Sequence, residues 1–304
     1  MLAILLCCKD GENFIIDQLN SIINQEFKDF DIYIKDNFSS DSTYELIKRF
    51  INQNPQIKIF FLQGDRNHFA NSYIKGLGDI PKKYKYYAFC DQDDIWESNH
   101  LSRSLNYLGN IDNEVPSVYC SRTKLINENG EIIGFSSYFP KKPHFKNALV
   151  QSIAGANTMI FNYSAYEFLM KLDLNKKIIS HDWMLYILVT YNDGNFFYDH
   201  NPTVRYRQHN NNLVGANIGL YNSLVRLNLM LKGKFRQYNI SNMQHVKSFD
   251  KNNSSNKNTL DAFFNSIFSP KGNRLYYLIK SGVYRQSLLG NIALFVNIFF
   301  DGND

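Results

Sequence analysis

Tyr86-Tyr87-Ala88-Phe89-Cys90-Asp91-Gln92-Asp93-Asp94-Ile95-Trp96 is an apolar run that ends directly on three carboxylates within four positions. A short apolar run bounded by polar residues reads as a buried strand. In a sheet covered by helices, ligands bind beyond the carboxyl ends of the strands, so this strand end proposes a site. Three acids so close repel one another unless a cation or a basic partner is present. A hard divalent ion, Mg2+ or Mn2+, is the natural partner, because such ions take oxygen ligands and complete their shells with substrate phosphates. The plainer alternative is a solvated acidic turn.

Outward from this strand the chain alternates between strand and helix. Leu2 to Cys8 is a strand, followed by a turn at Asp10-Gly11 and a helical face of Ile15, Leu19, Ile22 and Ile23. Ile32 to Lys35 is a second strand that runs into Asp36 to Ser40. Ser42 and Glu45 then have the spacing of a capping box before the apolar face Leu46, Ile47 and Phe50. Ile57 to Leu62 and Ala70 to Leu77 give a third strand and helix. The expected architecture is therefore α/β, a mixed and mainly parallel sheet with helices on both faces. Asp36 and Asp91 both emerge at carboxyl ends of its strands.

The second half is mixed in strand direction. A helix is expected near Leu101 to Leu108, and Asn129-Gly130 lies between two apolar segments as a hairpin signal. Ala154 to Phe161 reads as a strand, Ser164 to Lys171 and His181 to Tyr191 as helices, and Phe196 to Tyr198 and Val204 to Gln208 as two short strands. From Gly219 the pattern is helical, with a flexible connection expected over Asp250 to Asn258. This divides the chain into a catalytic domain over 1–218 and a helical extension over 219–304. The apolar tail from Val283 to Phe300 carries few charges and is expected to dock on the catalytic domain or to lie on a membrane.

Bulk composition narrows the classes. A chain of 304 residues, 44% hydrophobic and 20% charged, buries a substantial core. Its net charge of +5 comes without concentrated basic blocks, which argues against nucleic-acid binding. Cys7, Cys8, Cys90 and Cys120 lie in apolar runs without zinc or redox spacing, so a reducing cytoplasm is the expected compartment. Met1 to Cys8 is short and without a basic leader, and reads as a buried strand in place of a signal peptide. No run is long enough to span a membrane.

Two further segments carry chemistry. Ser180-His181-Asp182-Trp183 places a carboxylate at a helix start, where the helix dipole is expected to hold it ionised and fit to act as a general base. Alone, it would be read as an ordinary helix cap. Tyr206-Arg207-Gln208-His209-Asn210 brings cationic and hydrogen-bonding side chains to the end of a strand, within reach of a diphosphate or metal.

These three segments, in this order, resemble the family 2 glycosyltransferases of GT-A fold, and among them bacterial rhamnosyltransferases of cell-wall and O-antigen polysaccharide synthesis. The similarity spans nearly the whole chain. The resemblance implies that Asp91 and Asp93 form a DXD pair holding Mg2+ or Mn2+ and the donor diphosphate, with Gln92 beside them. It implies that Asp182 is the catalytic base. His209 would join the metal and, with Arg207, close over the donor. Cys8, Asp36, Asn37 and Asn67 would lie on the nucleotide side, and Gly155, Asn157 and Trp183 on the acceptor side. The implied partners are a nucleotide-sugar donor and a saccharide or lipid-linked oligosaccharide acceptor. The enzyme would be cytoplasmic, with peripheral contact to the inner face of the bacterial membrane through its tail.

The sequence departs from the family pattern around the nucleotide. Cys7-Cys8-Lys9-Asp10-Gly11 replaces a usual Ser-Thr-Tyr-Asn-Gly, Asn37-Phe38 replaces Asp-Gly, and Phe69 replaces a common glycine. Phe38 is the most telling change, since a bulky side chain does not freely adopt the backbone angles open to glycine. Inverting transfer of L-rhamnose from dTDP-rhamnose is the first expectation, and transfer from a UDP-hexose such as UDP-glucose or UDP-galactose is the second. Outside this chemistry, a noncatalytic polysaccharide- or membrane-associated scaffold and a metal phosphohydrolase are the competing classes.

Overall fold

The computed structural model describes residues 1–209, 234–249 and 255–300. Strand β1 (Leu2–Cys8) pairs in parallel with β2 (Phe30–Asp36) and with β4 (Tyr86–Cys90), and β2 pairs in parallel with β3 (Ile59–Leu62). Near-continuous apolar strands are what a parallel sheet covered on both faces requires. Leu2, Ile4 and Leu6 pack on one face with Ile32, Ile34 and Ala88, while Ala3 and Leu5 pack on the other with Tyr87 and Phe89. Helices α1 (Ile15–Ile23), α2 (Thr43–Gln53) and α4 (His100–Leu108) cover the first face. Helices α3 (Phe69–Asp79), α6 (Tyr163–Met170) and α7 (His181–Tyr191) cover the second.

Beyond β4 the sheet continues through β8 (Ile160–Asn162), β6 (Ser117–Ile126), β9 (Asn195–Arg207) and β5 (Ile95–Trp96), with β7 (Ile132–Phe135) paired to β6. Strands β8, β5 and β7 oppose their neighbours, whereas β6 and β9 are parallel to each other. The sheet is therefore mixed and mainly parallel, as expected. Gly130 takes a φ of 83° in the turn between β6 and β7, where only a residue without Cβ is unstrained.

Three local expectations are corrected. Ala154 to Phe161 is not one strand: a 3-10 turn over Ala156–Thr158 precedes the three residues of β8. Phe196 to Tyr198 and Val204 to Gln208 belong to one strand, β9, which carries an irregularity opposite Ser121 to Thr123 where Asn201-Pro202 interrupts the apolar pattern. Ser42 makes no capping bond. Instead, Asp41 Oδ1 accepts from the Thr43 N–H at 3.0 Å and Glu12 accepts from the Ser42 N–H at 2.9 Å. The start of α2 is thereby tied to the loop after β1.

Helix α7 is buried on nearly every side, from Trp183 to Tyr191, and forms the central rod of the second layer. Against this layer pack α8 (Lys234–Val246), α9 (Ser255–Phe268), α10 (Lys271–Ser281) and α11 (Leu288–Phe300), joined by the short α5 (Phe145–Ala148). Leu260, Phe263, Ile267, Leu278, Leu294 and Ile298 enter the same apolar cluster as α7. The Asn256 side chain donates to the Thr190 and Tyr191 carbonyls, satisfying orphan groups at the end of α7. The boundary expected at 218 lies outside the described residues. So does the first part of the connection expected over Asp250 to Asn258, whose remainder already belongs to α9. No helix among the described residues is long and apolar enough to cross a membrane.

Candidate active site

The carboxyl ends of β1 and β4, the start of α7 and the segment 152–157 surround a cleft of about 710 Å3. Cys8, Asn37, Asp91, Gln92, Asp93, Gly155, Asn157, Asp182 and His209 all line it. Residues far apart in the chain and singled out from sequence thus converge on one cavity.

The acidic loop after β4 is sorted by depth. Asp91 is held by the Tyr73 hydroxyl, whose single proton is shared between Asp91 Oδ1 at 2.7 Å and the Cys90 carbonyl at 2.8 Å. Burial, followed by the charge of Asp93 and more weakly that of Asp182, pushes the Asp91 carboxyl up to about 7 against the Tyr73 hydrogen bond. Asp93 Oδ2 lies 2.8 Å from His209 Nε2. Asp94 turns away from the cleft and is fully buried, accepting from Asn157 Nδ2 at 2.5 Å and from the Arg207 N–H at 3.1 Å. Burial, with repulsion from Asp93 and Asp91, pushes its carboxyl well above the usual range. The three acids therefore divide into a pair facing the cleft and one structural group behind it.

Gln92 closes the loop against β1. Its amide donates to the Lys9 carbonyl at 3.0 Å and accepts from the Lys9 N–H at 2.7 Å. A Cβ on Gly11 would come within 2.6 Å of this side chain, which accounts for the glycine.

Asp182 lies in the first turn of α7. Its carboxylate accepts from the Ser180 hydroxyl and from the Trp183 N–H at 2.6 Å. The sequence led us to expect a carboxylate kept ionised by the helix dipole, but its pKa is raised. Burial is the largest cause and outweighs the hydrogen bonds from Ser180, Trp183 and Ala156. Next to it, His181 is buried and stacked on Tyr73 with ring centroids 4.2 Å apart, and neither of its nitrogens has a hydrogen-bond partner. Burial, with a smaller contribution from His68, drops its pKa to about 3, so this imidazole is neutral.

Asp36, Asn67, Arg207 and Trp183 are not among the residues that line the cleft. Arg207 is 1% exposed and lies beneath the acidic loop, where it donates to the Asp93 carbonyl at 2.9 Å, to the Glu128 carbonyl at 2.6 Å and to Asp17 at 2.9 Å. It braces the loop from behind. Trp183 is buried, its indole N–H donating to the Ala148 carbonyl at 2.6 Å, so it packs α7 against α5 and does not present a face to an acceptor. Asn157, expected on the acceptor side, does reach the cleft but uses its amide to hold Asp94. Trp96 packs beneath the loop, buried against His100.

In the loop after β2, Asp36 accepts from the Ser39 hydroxyl at 2.5 Å, and Cys8 Sγ lies 3.7 Å from the same carboxylate. Asn37 Oδ1 accepts from the Asp65 N–H and the Ser72 hydroxyl. The Asn67 N–H donates to Asp65. Beneath this loop lies a feature unforeseen from the sequence, a buried ion pair between Lys35 Nζ and Asp65 Oδ2 at 2.6 Å. A lysine directly after the apolar run Ile32 to Ile34 was the available signal, since a buried charge needs a partner. Tyr73, which fixes Asp91, gave no comparable signal.

Phe38 adopts a φ of 60°, the left-handed conformation otherwise favoured by glycine, with its ring 56% exposed and Arg66 5.5 Å from the ring centroid. Phe38→Gly is therefore expected to raise stability by about 1 kcal/mol, because relief of backbone strain exceeds the loss of a largely exposed ring. Chemical denaturation of the two proteins measures this, and a less stable glycine variant would show that the ring contributes more than the strain costs.

Among the described residues no three metal-ligating side chains are clustered into a ready-made cage. The Asp91 and Asp93 carboxyls, which repel each other, and His209 beside Asp93 fit an ion that completes its shell from a diphosphate.

A doubly covered, mainly parallel sheet with an acidic pair at a strand end and a carboxylate across the cleft is the plan of the GT-A glycosyltransferase fold. Residues 3–168, more than half of the chain, match the family described as Glycosyl transferase family 2, and the chain belongs to that family. It is 28% identical over 246 residues to the dTDP-rhamnosyl transferase RfbG of Shigella flexneri, covering 75% of this chain and 80% of that protein. It is 23% identical over 168 residues to the UDP-Glc:alpha-D-GlcNAc-diphosphoundecaprenol beta-1,3-glucosyltransferase WfgD of Escherichia coli, covering 53% and 60% of the two chains. The crystal structure of S. aureus TarS 1-349 with UDP shares the fold at a TM-score of 0.55 and 15% identity, covering 88% of this chain and 72% of that one. Mannosyltransferase PcManGT from Pyrobaculum calidifontis, in complex with GDP-Man and Mn2+, does so at 0.51 and 12%, over 99% and 88%. Membership of the family sets aside the scaffold and phosphohydrolase readings.

Proposed function

We propose that this glycosyltransferase moves L-rhamnose from dTDP-rhamnose to a growing surface polysaccharide or lipid-linked oligosaccharide, with inversion at the anomeric carbon. The observation that carries the reading is the convergence of Asp182 and the Asp91/Asp93 pair on one cleft. The acceptor hydroxyl oxygen attacks the anomeric carbon as the Asp182 carboxylate takes its proton, and the bond from that carbon to the nucleoside diphosphate breaks on the opposite face. Mg2+ or Mn2+, when bound, supplies charge to the departing diphosphate. Asp91 and Asp93, with His209, would hold it, and the Gln92 clamp on Lys9 together with Arg207 behind Asp93 keeps these groups in place.

The donor rests on the Shigella relative, whose length the chain covers well. A UDP-hexose donor is the second reading, supported by the glucosyltransferase of Escherichia coli. A thermal-shift panel of dTDP, UDP, GDP and CDP with and without Mn2+ distinguishes them. Metal-dependent stabilisation by dTDP is expected, and stabilisation by UDP alone would replace the rhamnose reading with the hexose one. Asp93→Asn is expected to abolish the metal-dependent part of the shift while keeping the metal-independent part. A full shift in that variant would remove Asp93 from the metal set.

A further inference from the structure

We propose that the outward face of α11, together with the neighbouring face of α10, docks on an anionic lipid bilayer. A surface helix ordinarily turns its polar side to water. Helix α11 does the reverse. It contains no charged residue, and its exposed positions are Leu288 and Leu289, at 77% and 78%, with Ile292, Phe295 and Phe299. Its other side, Ala293, Leu294 and Ile298, is buried in the protein. The helix is thus apolar on both sides while only one is covered.

Helix α10 packs against α11 and repeats the pattern, with Leu275, Tyr276 and Ile279 exposed between the exposed Lys271 and Lys280. At the root of α11, Lys141 Nζ lies 5.0 Å from the Tyr284 ring and 3.3 Å from the Arg285 carbonyl, with exposed Lys142 beside it. The stretch 271–300 carries the basic residues Lys271, Arg274, Lys280 and Arg285 and no acid, while Asp301 and Asp304 follow it outside the described residues.

An apolar face flanked by basic side chains fits acyl chains beneath anionic headgroups. It fits a second copy of the chain poorly, because a two-fold contact would set like charges against each other. At 13 residues α11 is about 20 Å long, too short to span a bilayer, so it lies in the interface. The surface stands independently of the donor. A lipid-linked acceptor rests on the proposed function, and docking here would hold the cleft near such an acceptor.

The test is cosedimentation of the full chain with vesicles of phosphatidylcholine alone and of phosphatidylcholine mixed with phosphatidylglycerol. Binding is expected to the mixed vesicles and to weaken with salt. The exposed-face variant Leu288→Gln/Leu289→Gln/Ile292→Gln is expected to weaken it about tenfold or more, since the face supplies the apolar contact. Lys271→Gln/Lys280→Gln is expected to reduce the preference for the anionic lipid. Melting temperature and the nucleotide-induced shift should stay unchanged in both variants, which separates failure of docking from failure of the donor reading. The proposal is overturned if the parent does not sediment with the mixed vesicles or if the triple variant binds as the parent does. A dimer that the triple variant dissociates would also overturn it, by assigning the face to a second copy.

Discussion

Asp182→Asn is expected to lower the rate of transfer by about 10^2 to 10^4-fold, the usual contribution of a positioned general base. Nucleotide binding should survive, because the acidic pair proposed to hold the diphosphate is untouched. The asparagine keeps the size of the side chain and an oxygen to accept from the Ser180 hydroxyl and the Trp183 N–H. What it loses is the ability to take the acceptor proton. In the parent enzyme burial raises the Asp182 pKa. The base works only when ionised, so the acid limb of the kcat profile should lie above the ordinary carboxylate range and vanish in the variant. The sign for stability is opposite to that for activity. A raised pKa means that the native state holds the proton more tightly than the unfolded chain, so ionisation at neutral pH costs stability that is recovered as pH falls. Asp182→Asn should therefore melt above the parent at neutral pH and lose that advantage in acid. Retained transfer, or an acid limb at the ordinary carboxylate value, would remove Asp182 from the role of base.

Lys35→Met is expected to destabilise the fold by about 3–5 kcal/mol, the cost of removing one partner of a buried ion pair. Lys35 is fully buried and Asp65 8% exposed, with 2.6 Å between Nζ and Oδ2. Losing the ammonium leaves the carboxylate with the Asn67 N–H and, as its remaining cation among the described residues, Lys75 at 3.9 Å and half exposed. Burial alone would raise the Asp65 pKa, but the bonds from Lys35 and the Asn67 N–H reverse it and hold it below the ordinary value. The pair's stabilisation is thus present above the unfolded carboxylate pKa and is lost as pH falls through the depressed folded value. In the lysine variant that part of the acid sensitivity should disappear. Lys35→Met/Asp65→Asn should cost less than the two single changes together, since neither charge is then stranded. Because the Asp65 N–H bonds Asn37, the lysine variant should also weaken nucleotide binding. A change in denaturation free energy within about 0.5 kcal/mol, the range of an ordinary surface substitution, would show that the pair is not a structural anchor.

The strand and helix order of the first half, the doubly covered sheet and the placement of Asp91, Asp93 and Asp182 in one cleft were legible in the sequence. Hydrophobic periodicity is a local signal, and the rule that sites form at the carboxyl ends of strands is topological. The unusual backbone at Phe38 was legible too, as a bulky residue in a glycine slot. Expectations that depended on contacts across the chain fared differently. Arg207 and Trp183 have side chains that suit ligand contact, yet both are used internally. The capping box at Ser42 was displaced by Glu12, a residue from another loop.

By itself the sequence determined the layered α/β plan and which segments carry the chemistry, because burial pattern and clustered charge are written along the chain. Only the tertiary structure decided the division of labour within those segments. Tyr73 on Asp91, Asn157 on Asp94, Arg207 beneath Asp93 and Lys35 against Asp65 are partners far apart in sequence. The direction of the Asp182 shift followed the same rule: a dipole is set by the first turn of one helix, whereas desolvation is set by everything packed around it.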